Sequence, residues 1–391
     1  MSRPKTLRVE EKLLDLWLVG AVSLLLVWGI IMVYSASAFY ADRAFGDHMH
    51  FLKRHLMWLF VGISVMGIAY RLPLDRLAQF SRPLLGMAFL LLVYLAFVHR
   101  GRWLHLGPVN LQGVDLAKFA LIVYFADSLA RREADLPSFS RGLLPHLMVL
   151  AVMGFLVWRQ PDFSSAAMLV LIGGVMLLVS PVRLQHLLGT GLVMALLAAT
   201  AVLSLPYQRA RLMAFLHPDG DPQGKLYQIY QSLIALGSGG IGGVGFAQGH
   251  QKQFFLPEAH TDFIFAIIGE EWGLVGTVLI LSLFFVIMIR GLSIARKASG
   301  RFEFYLTAGI TAHLVLYALV NMMVNLGLLP PTGLPLPFIS YGGSAMVFSC
   351  VYVGLLLNLN RVASSRVLAN HRQFARQAVS RAYLRKQRAW G

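Results

Sequence analysis

Residues 254–289 read FFLPEAHTDFIFAIIGEEWGLVGTVLILSLFFVIMI. From residue 263 onward the stretch is apolar for long enough to cross about 30 Å of hydrocarbon at about 1.5 Å per residue. It opens on a polar cluster, Glu258, His260 and Asp262. Carboxylates and an imidazole at the mouth of such a helix are expensive to desolvate, so the cluster marks chemistry more often than architecture. Asp262 is the candidate catalytic residue.

Working outward, comparable apolar runs lie at 13–34, 55–70, 83–98, 116–130, 143–158, 164–179, 186–205, 304–326 and 343–359, giving ten expected spans with 263–289. Of the 391 residues, 57% are hydrophobic and only 13% charged, which excludes a soluble globular domain. Backbone groups in hydrocarbon must be satisfied within the segment, so the spans are helices. The expected fold is all-α: a polytopic integral membrane protein with about ten transmembrane helices and one long extracytoplasmic loop, 206–260. One membrane domain covers 1–360, and a basic cytoplasmic tail covers 361–391.

Placing both termini in the cytoplasm puts most of the 34 Lys and Arg residues in inner loops and tails, as short cytoplasmic loops require. The net charge of +16 therefore reads as topology and contact with anionic membrane lipids. No nucleic-acid partner is expected, because no basic patch interleaved with aromatics stands apart from a membrane end. The tail, with Arg376, Arg381, Arg385, Lys386 and Arg388, is either an amphipathic helix on the inner leaflet or a solvated extension. Ala36-Ser37-Ala38 resembles a signal-peptidase site, but the preceding run exceeds a signal-peptide core and reads as a retained span. The single cysteine, Cys350, permits no disulfide within the chain and no thiolate-built metal site.

Two outer segments carry structure of their own. Within 206–260, the run Tyr227-Gln228-Ile229-Tyr230-Gln231-Ser232-Leu233-Ile234 suits a helix along the membrane face, followed by a glycine-rich stretch over 237–249. The second segment holds Pro330, Pro331, Pro335 and Pro337, which cannot continue a helix. Non-helical backbone survives at membrane depth only against protein or a wet cavity, so this loop is expected to fold back into a pocket.

Most polar candidates map to the outer face. Asp115 and Lys118 stand at i and i+3, hence on one helix face, where each offsets the other's desolvation; a structural ion pair is the plain alternative. Arg102 and Trp103 are expected beside them, and Asp162 in Gln160-Pro161-Asp162 is placed to cap the next span. Arg209, Arg211, Lys225 and Lys252 suit an anionic lipid head, or ordinary anchoring at the lipid surface. Of Glu270 and Glu271, about 12 Å deeper, at least one is expected to be paired or water-exposed in a cavity, with structural pairing the favoured role.

Together these segments resemble the SEDS family, the polytopic cell-wall glycosyltransferases. The motifs are Tyr34-Ser35-Ala36-Ser37, Gly101-Arg102-Trp103, Gln160-Pro161-Asp162, Gln231-Ser232-Leu233-Ile234-Ala235, Leu256-Pro257-Glu258-Ala259-His260-Thr261-Asp262 and Pro337-Phe338-Ile339-Ser340-Tyr341-Gly342-Gly343-Ser344. Ala259 and the last run are more similar to the division branch, FtsW, than to the elongation branch, RodA. The chain departs from the family at Gln112-Gly113-Val114-Asp115, where Gln-Pro-Ser-Glu is usual, and at Ser164-Ser165, where Gly-Thr is usual.

The resemblance implies polymerisation of lipid II into β-1,4-linked glycan strands at the outer face of the bacterial cytoplasmic membrane, with Asp262 as general base toward the acceptor 4-hydroxyl. The expected substrate-binding set is Arg102, Asp115, Lys118, Asp162, Arg209, Arg211, Lys252, Glu258, His260, Ser340, Gly342 and Gly343. Mg²⁺ or Mn²⁺ would suit the leaving pyrophosphate, but no ligand set is legible. The implied partners are the nascent glycan strand, a class B penicillin-binding transpeptidase and other divisome proteins. A lipid II flippase, an elongation-type polymerase and a non-enzymatic divisome scaffold are the competing readings.

Overall fold

Each of the ten apolar segments is helical in the computed structural model, which describes residues 14–99, 101–106, 109–204, 209, 215 and 227–388. Chain order is α1 (Leu16–Phe45), α2 (His50–Arg71), the short α3 (Leu74–Gln79), α4 (Ser81–Val93) prolonged by a π-helical segment Tyr94–His99, and α5 (Gly113–Arg131). There follow α6 (Leu144–Trp158), α7 (Phe163–Leu178), α8 (Leu184–Ser204), α9 (Tyr227–Gly239), α10 (Ile264–Lys297), α11 (Arg301–Asn325) and α12 (Gly343–Arg388). Among the described residues, eight helices are long and apolar enough to cross a membrane. The other two expected spans are α7, which is shorter, and α5, which carries buried Asp115, Lys118 and Asp127. The protein is an all-α polytopic membrane protein. Its last helix runs through residue 360 to Arg388 without a break.

The helices begin and end where the sequence supplies caps. Asp15 accepts from the Leu18 N–H at 3.2 Å to start α1, and Gly46, at φ 67°, ends it in the left-handed conformation that glycine adopts without penalty. Asp15 also binds Arg290 at 2.7 Å, while Ser35 at the other end of α1 donates to Glu271 at 2.6 Å. These contacts fix α1 and α10 as antiparallel neighbours. Asn358 on α12 donates to the last carbonyls of α2, Leu72 at 2.6 Å and Ala69 at 3.1 Å, replacing partners a helix end lacks.

One element departs from the all-helical expectation. An antiparallel hairpin, β1 (Trp103–Leu106) and β2 (Val109–Gln112), pairs Trp103 with Gln112 immediately before α5. Strands of four residues are too short to announce themselves by alternation.

The proline loop does fold back. Leu336, Phe338 and Ile339 are buried, and the Phe338 carbonyl lies against Gly29, midway along α1, where no Cβ would fit. The Phe338 ring also stacks 6.4 Å from Phe284, twenty residues into α10. The glycine-rich stretch serves a second break: α10 is interrupted at Gly273 (φ 64°, ψ −157°), and the amides just beyond donate out of the helix, Leu274 to Gly240 at 2.9 Å and Val275 to Ile241 at 3.2 Å. The loop between α9 and α10 thus supplies hydrogen bonds that the kink removes. α9 docks on the ends of α10 and α11, with Ser232 donating to the Asn325 carbonyl at 2.8 Å and Gly239 against the Gly269 carbonyl.

Candidate active site

The hairpin, the 159–162 turn, the 240–263 segment and the 327–342 loop all emerge at one end of the bundle and bind one another there. Asp262 sits among them. It lies two residues ahead of α10 rather than on its first turn, with Phe263 in the cap position. Its carbonyl accepts from Asn321 at 2.8 Å and Asn325 at 3.1 Å, both buried on α11. Ser340 reaches the neighbouring Thr261 carbonyl at 2.5 Å, and the Tyr341 amide donates to the His260 carbonyl at 3.0 Å. Held from two sides by its backbone, Asp262 keeps a partly exposed side chain, with Oδ2 facing Gly333 of the proline loop.

Gly333, at φ 73°, borders a small polar void of about 30 Å³ lined by Gln112, Asp115, Lys118, Ser165, His313, Tyr317 and Tyr352. Lys118 Nζ is 2.6 Å from Asp115 and donates to the Tyr317 hydroxyl at 2.6 Å. Ser344, at the start of α12, donates to the other Asp115 oxygen at 2.6 Å and accepts from the Gln112 amide at 3.4 Å. The Gln112 side chain then donates to Asp162 at 3.1 Å, and Asp162 caps α7 by accepting from Ser165 at 3.1 Å. Five elements are tied by one chain of polar contacts. A void of this size holds about one water, and two buried polar atoms in its wall, His313 Nδ1 and the Tyr352 hydroxyl, have no protein partner.

A second charged group lies deeper. Lys252 is buried, 2.5 Å from Glu271 and 2.8 Å from Ser35, so its charge is met inside the protein. Glu271 also accepts from the Ala247 amide at 3.1 Å, and Glu270 from the amides of His250 at 2.7 Å and Gln251 at 3.2 Å. Glu271 is thus paired with a cation and Glu270 is met by backbone amides, and together they strap the 243–252 segment to α10.

On the far side of residues 257–260 is a cavity of about 400 Å³, walled by Ala36, Tyr40, Phe51, Lys252, Phe254 and His260. His260 packs against the rings of Phe51, Tyr341 and Tyr40 at 4.5, 5.8 and 6.0 Å. Burial pushes its imidazole below the ordinary value, partly offset by Glu258, so it is neutral at pH 7. Glu258 is exposed, accepts from Thr261 at 2.7 Å, and holds a left-handed backbone at φ 56°.

Of the sequence candidates, Asp115, Lys118 and Asp162 form one network, and Glu258, His260, Asp262 and Ser340 cluster around the start of α10. Gly343 begins α12 against the Trp58 ring, one residue after Gly342. Arg102 and Arg209 are exposed at the same end, with Arg102 outside the linings of both cavities, whereas Arg211 lies outside the described residues. The sequence reading did not single out Gln112, His313, Tyr317, Asn321, Asn325 or Tyr352. The spacing of Asn321 and Asn325, and of His313 and Tyr317, at i and i+4 in an apolar span was the available signal. Among the described residues no three of His, Cys, Asp or Glu converge to hold a metal ion such as Mg²⁺ or Mn²⁺.

The chain is similar to known proteins over most of its length. A family model for cell cycle proteins, FtsW/RodA/SpoVE, matches residues 16–365. A probable peptidoglycan glycosyltransferase FtsW of Legionella pneumophila is 39% identical over 369 residues, 92% of this chain and 94% of that protein. Stage V sporulation protein E of Bacillus subtilis is 38% identical, covering 89% and 97% respectively. Among solved structures, a chain from a peptidoglycan synthase complex that coordinates polymerization and crosslinking superposes with TM-score 0.74 at 28% identity, covering 90% of this chain and 98% of that one.

Proposed function

The chain belongs to the FtsW/RodA/SpoVE family of cell cycle proteins, and from that premise we propose how this peptidoglycan glycosyltransferase of FtsW type carries out its reaction. It polymerises lipid II into β-1,4-linked glycan at the outer face of the cytoplasmic membrane. Asp262 takes the proton of the acceptor 4-hydroxyl as that oxygen attacks the donor's anomeric carbon; the lipid pyrophosphate leaves from the opposite side, and the anomeric centre inverts. The single observation carrying this reading is the placement of the Asp262 carboxylate. It is partly exposed at the loop-bearing end of a membrane bundle and fixed through its backbone by Asn321 and Asn325. A base held this way loses little entropy when substrate arrives.

The loop-bearing end is the outer one in this account. The opposite end carries Arg71, Arg76, Arg131, Arg132, Arg183, Arg296 and Lys297, in keeping with short cytoplasmic loops, and both termini then lie inside. Arg102 and Arg209 are exposed at the outer end and are among the cations able to approach a pyrophosphate. Lys118 and Lys252 are each paired with a carboxylate and serve to hold the site's shape. The likeness to a synthase complex supports a transpeptidase partner of the class B penicillin-binding type, which crosslinks the emerging strands.

Purified protein with that partner, in liposomes carrying lipid II on the accessible leaflet, is expected to produce glycan polymer. Lipid II translocation without polymer would overturn the assignment in favour of transport.

A further inference from the structure

We propose that the cavity between α1, α2 and residues 252–260 is a carbohydrate subsite, which takes uncharged N-acetylated pyranose rings of the glycan substrate and excludes its pyrophosphate. The proposal rests on the function above and adds where the sugar lies. Size is the first argument. The void beside Asp115 and Lys118 measures about 30 Å³ and admits little more than a water, whereas this cavity measures about 400 Å³, within the usual range for small-ligand sites.

Its lining supplies the second argument. Tyr40, Phe51, Phe254 and His260 offer ring faces, and pyranose rings present flat C–H faces that pack on such surfaces while their hydroxyls reach polar groups at the edge. The polar edge is Glu258, an acceptor suited to sugar hydroxyls and amide N–H groups. Charge is the third. The one cation in the wall, Lys252, is already bound to Glu271 and Ser35, and Glu258 stands in the wall as an exposed negative charge that disfavours a phosphate there, while the Arg43 guanidinium lies outside the lining, over the Phe254 ring at 5.1 Å. Phe254 at φ 67° and Glu258 at φ 56° both adopt left-handed backbone that non-glycine residues rarely hold, a strain common in segments that clamp ligands. Glu258 and His260 stand within four residues of Asp262 in the chain, so the cavity wall lies no more than about 14 Å from the base, a reach that one or two sugar rings span.

The test is saturation-transfer NMR on the full-length protein in detergent, with the soluble disaccharide of N-acetylglucosamine and N-acetylmuramic acid as probe, lacking both lipid and pyrophosphate. Wild type and Asp262→Asn are expected to give equal transfer to the sugar ring protons. Tyr40→Ala, which removes an exposed ring, and Phe51→Leu, which keeps bulk without the ring face, are each expected to weaken binding about tenfold. Inorganic pyrophosphate is expected not to compete. Absence of transfer to wild type, unchanged binding in both aromatic variants, or displacement by pyrophosphate would each overturn the subsite. None of these bears on Asp262, whose role as base is judged by polymerisation; polymer formation by Asp262→Asn would remove the base and leave the sugar site standing.

Discussion

Lys118 Nζ lies 2.6 Å from Asp115 Oδ1, one turn away on the same helix, and 2.6 Å from the Tyr317 hydroxyl on α11. Both side chains of the ion pair are about 95% buried, so each offsets the desolvation of the other. Removing one partner strands the other. Lys118→Met is expected to destabilise by about 3–5 kcal/mol, and the double variant Asp115→Asn/Lys118→Met by markedly less. Thermal unfolding of both in the same detergent checks this; equal losses would show that the pair is not coupled.

Glu271 gathers Lys252, Ser35 and the Ala247 amide, and it stands two residues before the Gly273 break. Glu271→Gln keeps the shape but removes the charge that Lys252 answers. Hydrogen exchange of amides 244–251 is expected to accelerate about tenfold or more, with the cytoplasmic half of α10 unchanged. Uniform acceleration along the chain would mean global destabilisation instead.

Gly333 occupies left-handed backbone, and a Cβ there would lie 3.5 Å from Asp262 Oδ2, an ordinary contact. The cost of Gly333→Ala is therefore conformational, about 1–2 kcal/mol. Because the residue faces the carboxylate, polymerisation is expected to fall further than the loss in Tm accounts for. Activity that tracks Tm alone would argue that this loop does not shape the base.

His260 is held below its ordinary pKa by burial, so the folded state binds a proton less readily than the unfolded chain, whose imidazole titrates near pH 6.5. Between the folded value and about pH 6.5 the unfolded state carries more protons, and stability rises with pH. The contribution is fully present above about pH 6.5 and is lost as pH falls through that window. Tm of the wild type is expected to drop between about pH 7.5 and about pH 5.5, with a shallower slope in His260→Gln. Identical slopes would place the titration elsewhere.

The helices were legible because hydrocarbon permits little else: each run long enough to cross became a helix, including α5 and α7, whose charge or length would disqualify them alone. The Asp115–Lys118 pair and the Asp162 cap were legible because both are local, set by spacing within one helix start. Gln112 bridging Asp162 and Ser344 was not, because it joins residues far apart in sequence. Nor was the Gly273 break, since a lone glycine in an apolar run usually stays helical, and only the docking of residues 240–243 forces this one out. Lys252, read as a contact for a lipid head or as an anchor at the lipid surface, is buried against Glu271; its partner lies across the 243–252 segment, beyond what helical spacing reveals.

The central claim is that Asp262 accepts the acceptor sugar's proton. Its most direct measure is the rate of glycan polymerisation from lipid II by Asp262→Asn, purified with its transpeptidase partner and shown by Tm to be folded. The amide preserves the shape and hydrogen-bonding reach of the side chain but cannot take up a proton, so the rate is expected to fall by about 10²–10⁴-fold or more. Polymerisation at the wild-type rate by a folded Asp262→Asn protein would contradict the account.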